Sequence, residues 1–236
     1  MKDSVTIITG ASRGIGRAIA VRLAQNGGAQ VLIGRDKNKL NETASIVTGK
    51  GGTPIIYAGD IANKNFIDDT VKDVLNKFGK VDNLINNAGV AIFKKFVDVS
   101  VEEFTTQMNV NMYAVFNFTK AVVPSMIQNK RGTIINISSL AGKNPFVYGT
   151  TYAATKHALM GFTKSLMLEL REHNIRVAAV CPGSVQTDMI IDTPVAPKEL
   201  SKVLKPEDVA ETVAVIINLP QNALASEIEI RPTNPK

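Results

Sequence analysis

The amino-acid sequence predicts an α/β protein, a doubly wound parallel sheet of seven strands with helices on both faces. Short apolar runs rich in Val and Ile alternate with longer segments whose apolar residues recur at helical spacing. A glycine-rich turn joins the first of these runs to the first helical segment. The chain has 236 residues and is 44% hydrophobic, enough for one large core, and no linker or low-complexity stretch interrupts it. We therefore expect a single domain over residues 1–236.

The elements follow one another regularly along the chain. Apolar runs predict the strands, and amphipathic periodicity predicts the helices. We expect strands at 5–9, 30–34, 53–58, 81–85, 132–137, 175–180 and 226–231, and helices at 17–25, from 36 onward, 63–78, 101–128, 152–172 and 206–218. The 101–128 stretch is one long helix or two abutting ones. Residues 184–205, which include Pro194 and Pro197, form either a mobile lid over a ligand or a long surface connection.

The amino-acid composition excludes several classes of function for this chain. Lys and Arg outnumber Asp and Glu by 27 to 21, but they are scattered, so no nucleic-acid partner is expected. No apolar run reaches about 18 residues, so no membrane span is expected. One cysteine excludes an internal disulfide, and the first residues lack a signal-peptide pattern, which favours the cytoplasm. Two histidines and one cysteine are too few for a structural zinc site, so no metal is expected.

The glycine turn is Gly10-x-x-x-Gly14-x-Gly16. Ligands of open α/β sheets bind at the carboxyl ends of the strands, and this turn lies at the first such end. Glycines there let the backbone approach a pyrophosphate at a helix N-terminus. The spacing differs from Gly-x-Gly-x-x-Gly, and a strand-to-helix turn needs glycine anyway, so the turn alone is a weak signal. Its place after the first strand favours a dinucleotide site.

The end of the second strand indicates which dinucleotide is bound. An acid at this point usually binds the ribose 2′-hydroxyl of NAD, but here the strand ends in glycine followed by Arg35. Arg13, in the glycine turn, is a second guanidinium that could meet a 2′-phosphate. We therefore expect NADP(H). Asp36 argues against this unless it caps the next helix, and both arginines could instead be solvated surface residues.

Tyr152 and Lys156 are four residues apart in a helical segment and so lie on one face. A lysine beside a tyrosine favours the phenolate and lowers the pKa of the phenol from its usual value of about 10. A tyrosine whose pKa is lowered toward neutral pH can donate or accept a proton in catalysis. The alternative is an ordinary helical contact, because such pairs also arise by chance.

Over almost its whole length the sequence resembles the classical short-chain dehydrogenases/reductases. The resemblance rests on a series of short motifs in a specific order: Thr9-Gly10-x-x-x-Gly14-x-Gly16, Asn86-Asn87-Ala88-Gly89, Asn111, Ser138-Ser139, Tyr152-x-x-x-Lys156 and Pro182-Gly183. Each motif is short, but a chance match of the set is very improbable. The resemblance implies a Rossmann fold and an NADP-preferring carbonyl reductase or 3-oxoacyl reductase-like branch.

The resemblance also implies roles for individual residues. Tyr152 would be the general acid or base, Lys156 would lower its pKa, Ser139 would hydrogen-bond the substrate oxygen, and Asn111 would order a water beside Lys156. The residues implied to bind the cofactor are Gly10, Ser12, Arg13, Gly14, Ile15, Gly16, Arg35, Asp60, Ile61, Asn87, Ala88, Gly89, Tyr152, Lys156, Pro182, Gly183, Val185 and Thr187. An apolar substrate pocket is expected from Ala141, Gly142, Phe146, Val147 and Met189.

The implied activity is NADPH-dependent reduction of a carbonyl to an alcohol, or the reverse. The alternative is reduction of a 3-oxoacyl thioester on an acyl-carrier protein, which the C-terminal sequence after Glu227 fits less well because many relatives have a Gly-Gly pair there. A third reading, an NADP-binding sensor without turnover, conflicts with the presence of all four catalytic positions. The resemblance also implies a homo-oligomer, either a dimer or a tetramer.

Overall fold

In the computed structural model, which describes residues 3–234, seven strands form one sheet. The strands are β1 (Val5–Thr9), β2 (Ala29–Gly34), β3 (Thr53–Ala58), β4 (Asn83–Asn86), β5 (Gly132–Ile137), β6 (Ile175–Pro182) and β7 (Glu227–Ile230). Their order is β3-β2-β1-β4-β5-β6-β7, and every neighbouring pair is parallel. The predicted seven-stranded parallel sheet is confirmed. The order reverses between β1 and β4, which opens a crevice at their carboxyl ends.

Helices cover both faces of the sheet. They are α1 (Gly14–Ala24), α2 (Lys37–Gly49), α3 (Lys64–Phe78), α4 (Val101–Met108), α5 (Ala114–Gln128), α6 (Thr150–Leu170) and α7 (Pro206–Asn218). Successive strand residues point to opposite faces. Ile8 packs in the cluster under α1, α2 and α7, whereas Ile7 packs in the cluster under α3 and α5. Because both faces are covered, the central strands are buried throughout, as their continuous apolar runs predict.

The helix predicted over 101–128 is continuous but irregular. A five-residue π-helical turn, Asn109–Tyr113, separates α4 from α5. Ser100 and Glu103 form a capping box that starts α4. The sequence periodicity indicates the length of this helix but not the extra residue in its middle.

Two element boundaries differ from the prediction in ways that matter for the site. Strand β4 begins and ends with asparagines, whereas we expected it to stop before Asn86. Asn83 donates to Thr6 Oγ1 at 3.0 Å and Asn86 to Asn136 Oδ1 at 2.9 Å, so both amides are satisfied inside the sheet. Helix α1 begins at Gly14 rather than at residue 17, so the glycine turn itself forms the first helical turn.

Candidate active site

A cleft of about 1070 Å³ runs along the carboxyl ends of the strands. The residues just after six strands, or at their ends, line it: Gly10, Gly34, Gly59, Asn87, Ser138 and Pro182. Every predicted catalytic and cofactor-binding residue lines this cleft except Gly16 and Asn111. The structure therefore brings together residues that lie far apart in the sequence. Among residues 3–234, no group of three or more His, Cys, Asp or Glu side chains could hold a metal ion.

The glycine turn is built by close backbone approach. Gly10 has a φ of +69°, and a Cβ on it would lie 2.9 Å from the Cα of Ala88. A side chain on Gly16 would overlap the carbonyl of Gly10, so α1 packs directly on the turn. Gly16 therefore packs closely against Gly10 and does not line the cleft, whereas we expected it among the cofactor-binding residues.

Thr9 and Asn87 join the two halves of the sheet at the point where the strand order reverses. The Thr9 hydroxyl accepts hydrogen bonds from the backbone N–H groups of Asn87 and Ala88, each at 3.0 Å. The Asn87 side chain donates to the Thr9 carbonyl at 2.9 Å. These bonds hold the segment after β4 against the glycine turn at the floor of the cleft.

The two predicted arginines lie in the cleft in different environments. Arg13 forms an ion pair with Asp188 at 2.6 Å, and both side chains are more than half exposed. Arg35 lies at the tip of β2 and also lines the cleft. Asp36 does not line the cleft; its carboxylate accepts from the N–H of Lys39 at 3.1 Å and caps α2. Asp36 thus takes the helix-capping position that the sequence left open for it.

Sequence reasoning missed Arg17 as a support for the glycine turn. Its guanidinium donates to the Ser12 carbonyl at 2.7 Å and to Thr43 Oγ1 at 3.0 Å, and it pairs with Glu42 at 2.9 Å. These contacts join the turn to α2. Periodicity assigns Arg17 to a helix, and nothing local to it shows that it would reach back to the turn.

Tyr152 and Lys156 are both buried on the wall of the cleft beside Ser139. The Nζ of Lys156 donates to the Ile137 carbonyl at 2.9 Å and lies 5.8 Å from the centre of the Tyr152 ring. Burial raises the pKa of Tyr152 to about 12, and a hydrogen bond with Ser139 partly opposes this. Burial lowers the pKa of Lys156 to about 8.

The pKa of Tyr152 is therefore raised from its usual value, whereas we expected it to be lowered toward neutral pH. The ammonium is directed to a backbone carbonyl, and the loss of solvent around the phenol dominates. The two side chains do meet on one helix face, as their spacing predicts. At neutral pH, Tyr152 is a phenol rather than a phenolate.

Asn111 lies in the π turn and is buried behind the cleft. Its Nδ2 donates to the Val90 carbonyl at 2.8 Å and to Thr155 Oγ1 at 3.0 Å, and its Oδ1 accepts from the Val90 N–H at 2.9 Å. It therefore fixes the segment after β4 against α6, one residue before Lys156.

Aromatic side chains line the cleft beside Tyr152. The Phe93 ring packs edge-on against Tyr152 at 5.5 Å and against Phe146 at 6.0 Å. Of the predicted pocket residues, Ala141, Phe146 and Met189 line the cleft, whereas Gly142 and Val147 do not. Val147 points to solvent and is 77% exposed, because a turn with positive φ at Tyr148 follows it. Phe93 was missed, since a single phenylalanine in an irregular segment carries no periodic signal.

The segment 184–205 borders the cleft along its open side. Residues 184–190 and Val195 line it. The base of the segment is fixed, because the N–H of Gln186 donates to the Leu204 carbonyl at 2.8 Å and the N–H of Leu204 to the Ser184 carbonyl at 3.0 Å. The Arg13–Asp188 ion pair joins it to the glycine turn on the opposite wall.

Comparison with known proteins agrees with this geometry. The short chain dehydrogenase family profile matches residues 4–196. Uncharacterized oxidoreductases of Staphylococcus epidermidis and Staphylococcus aureus are 34% and 33% identical to this chain, over 98% of each sequence. The chain thus has the fold of an oxidoreductase with a cleft at the strand reversal. It belongs to the short-chain dehydrogenase family.

Two solved structures are similar to the whole fold. One is a metagenomic short-chain oxidoreductase in complex with NADP, with 37% identity and a TM-score of 0.87. The other is an alcohol dehydrogenase from the archaeon Thermococcus sibiricus complexed with 5-hydroxy-NADP, with 32% identity and a TM-score of 0.89. Each alignment covers 98% of this chain and 97% of the other. Among residues 3–234, no helix has the length and apolar character needed to cross a membrane.

Proposed function

We propose that this protein is an NADPH-dependent oxidoreductase that reduces a carbonyl to an alcohol, or catalyses the reverse, with Tyr152 as the general acid or base. The observation that carries the proposal is that Ser139, Tyr152 and Lys156 line the same cleft as the glycine turn. The relatives described as binding NADP or 5-hydroxy-NADP support the choice of cofactor.

The cleft has the chemistry that NADP(H) requires. The glycine turn lets main-chain N–H groups at the start of α1 approach a pyrophosphate. Two guanidiniums, Arg13 and Arg35, line the cleft and would supply the cations for a 2′-phosphate, and the Asp36 carboxylate at the tip of β2 caps α2 instead of lining the cleft. Asp60 and Ile61 would border the adenine, and Val185 and Thr187 the nicotinamide carboxamide. When bound, the dinucleotide supplies the hydride.

Side chains of this protein would transfer the proton to the substrate oxygen. As negative charge develops on the substrate oxygen, the Tyr152 phenol donates its proton and the Ser139 hydroxyl donates a hydrogen bond to the same atom. Since the pKa of Tyr152 is about 12, the phenol is protonated at neutral pH and ready to act as an acid. Lys156, whose pKa burial lowers to about 8, would carry a proton at pH 7 that it could pass to the tyrosine.

Further features of the protein enter the same proposal. Residues 1–236 would form one dinucleotide-binding catalytic domain in which 184–205 act as the substrate lid. We expect a homo-oligomer, because Val101, Tyr113 and Phe116 are 75%, 57% and 42% exposed along α4, the π turn and α5. Light scattering on the purified protein tests the assembly. A single, fully buried cysteine is consistent with the cytoplasm.

The activity is tested by following NADPH oxidation with a panel of aliphatic and aromatic ketones and an acetoacetyl thioester. Tyr152→Phe should lower the rate by about 10²-fold or more without unfolding the protein. Tyr113→Phe, at an exposed tyrosine outside the cleft, is the matched control and should keep the wild-type rate. A wild-type rate in Tyr152→Phe would refute the mechanism. Tight NADPH binding with no turnover across the panel would favour a sensor instead.

A further inference from the structure

Gln107, in the last turn of α4, is completely buried, and both ends of its side-chain amide are hydrogen bonded. Its Nε2 donates to Thr151 Oγ1 at 2.8 Å, and its Oε1 accepts from the backbone N–H of Ile92 at 3.2 Å. A buried amide is costly unless it is paired, so these two bonds are strongly favoured over any alternative side-chain position. Gln107 does not itself line the cleft.

Each partner of Gln107 directly precedes an aromatic residue of the site. Ile92 is followed by Phe93, and Thr151 is followed by Tyr152. The rings of Phe93 and Tyr152 touch edge-on, with centroids 5.5 Å apart and planes at 73°. One amide therefore connects the two backbone segments that carry this pair of rings.

A second connection of the same kind lies one helical turn further along. Asn111 is four residues after Gln107, and Thr155 is four residues after Thr151, so each pair shares one face of its helix. Asn111 bonds to Thr155 and to Val90, as Gln107 bonds to Thr151 and to Ile92. Two amides thus fasten α4 and the π turn to α6, with the segment after β4 held between them. The Asn111 connection supports Lys156, and the Gln107 connection supports Tyr152.

We propose that Gln107 is a positioning residue for the reaction: by holding Ile92 and Thr151 together, it sets the Phe93–Tyr152 contact and hence the direction of the Tyr152 hydroxyl. This inference rests on the role of Tyr152 in the proposed function. It predicts that removing the amide misplaces the proton donor while leaving the dinucleotide end of the cleft unchanged.

The test uses three substitutions of nearly constant volume. Gln107→Leu removes both hydrogen bonds, and Thr151→Val removes the bond between the helices. Thr163→Val is the matched control. Thr163 lies on the same helix, is 2% exposed and accepts at 2.8 Å from the buried amide of Asn136. Its hydrogen bonds go to Asn136 and Leu159 and not to the residues next to Phe93 and Tyr152. Thr163→Val should lower the midpoint of thermal unfolding about as much as Gln107→Leu and Thr151→Val do, because it also removes a buried hydrogen bond.

We expect Gln107→Leu and Thr151→Val to lower kcat by about tenfold or more and to change the KM for NADPH by less than about twofold. Thr163→Val should leave kcat within about twofold of wild type. The double variant Gln107→Leu/Thr151→Val should lose little more than Gln107→Leu alone, because both changes remove the same bond. Equal loss of kcat in Thr163→Val, or a loss confined to the KM for NADPH, would overturn the proposal.

A second readout does not depend on turnover. The ionisation of Tyr152 is followed by ultraviolet absorbance, as the difference between each variant and the same variant carrying Tyr152→Phe. Lys156, the titratable group that faces Tyr152, is common to all of them and is already neutral in the pH range where Tyr152 ionises. If Gln107 holds the ring in its buried position, Gln107→Leu and Thr151→Val should lower the pKa of Tyr152 from its raised value, and Thr163→Val should not. An unchanged pKa in Gln107→Leu would refute the positioning role, even if the wild-type protein proved inactive and the proposed function failed.

Discussion

Replacing Lys156 by methionine should make the protein more stable at neutral pH. Lys156 is 5% exposed, and burial lowers its pKa from 10.5 to about 8. Because the pKa is lower in the folded state, folding favours the neutral amine. The stability present above pH 10.5 is lost progressively as the pH falls from 10.5 to about 8. The difference between these two pKa values lowers the free energy of unfolding by about 3 kcal/mol at pH 7 and by about 1 kcal/mol at pH 10.

Methionine retains the apolar stem of Lys156 and removes the charge. It also removes the hydrogen bond to the Ile137 carbonyl, at a cost of about 1 kcal/mol. Lys156→Met should therefore gain about 2 kcal/mol in free energy of unfolding at pH 7 and about nothing at pH 10. The same substitution should reduce the proposed activity, because Lys156 lies in the candidate active site.

The assay is urea unfolding of both proteins without dinucleotide, at pH 7 and at pH 10. Lys164→Met, on the same helix, is the control; Lys164 is 62% exposed, so its substitution should change little at either pH. A Lys156→Met variant that is less stable than wild type at pH 7 would refute the reasoning. A gain of equal size at both pH values would also refute it, because burial of a charge cannot produce that result.

Two other predictions concern ionisation and cofactor choice. In the protein without dinucleotide, Tyr152 should remain a phenol at pH 10, because burial raises its pKa to about 12; a wild-type minus Tyr152→Phe difference spectrum that shows phenolate below pH 10 would contradict this. Arg13→Ala and Arg35→Ala should each weaken NADPH binding by about tenfold, through loss of a charge-assisted contact to the 2′-phosphate, and leave NADH binding nearly unchanged. Titration of both dinucleotides checks this, and tighter binding of NADH than of NADPH by the wild-type protein would show that the two arginines were misread.

Periodicity sufficed for the sheet because its central strands are buried on both faces, so runs such as Val5–Thr9 and Gly132–Ile137 are buried throughout and rich in Val and Ile. It misplaced the end of β4, because Asn86 looks like a turn residue although the strand contains both Asn83 and Asn86. Their amides find partners on neighbouring strands, and such pairings between distant residues are not visible in a local pattern. The π turn was missed for a related reason, because one inserted residue changes the helical phase without interrupting the apolar content.

Part of the candidate site could be predicted from the sequence because the segments at Gly10, Asn87, Ser138 and Pro182 lie at the carboxyl ends of parallel strands. Asn111, Tyr152 and Lys156 lie in helical segments, and the family resemblance was needed to add them. What could not be predicted was how the side chains are oriented. The spacing of Tyr152 and Lys156 predicts that they meet, but the Ile137 carbonyl that receives the ammonium lies on another element. Gln107 reads as a solvent-facing residue of an amphipathic helix. Paired amides and paired threonines at the same spacing on two helices were the available signal for its burial.

The π turn Asn109–Tyr113 has a consequence for how this sequence can change. A helix advances about 100° per residue, so the extra residue sets the rotational phase of α4 independently of α5. The first half is bonded to α6 through Gln107, while the second buries Phe118 in the core. Deleting one residue from the turn would swing the whole of α4 by roughly a quarter of a circle relative to α5. The number of residues between Gln107 and Phe118 is therefore constrained more strictly than their identities. Sequence alignments and grafts should treat this segment as a unit without gaps.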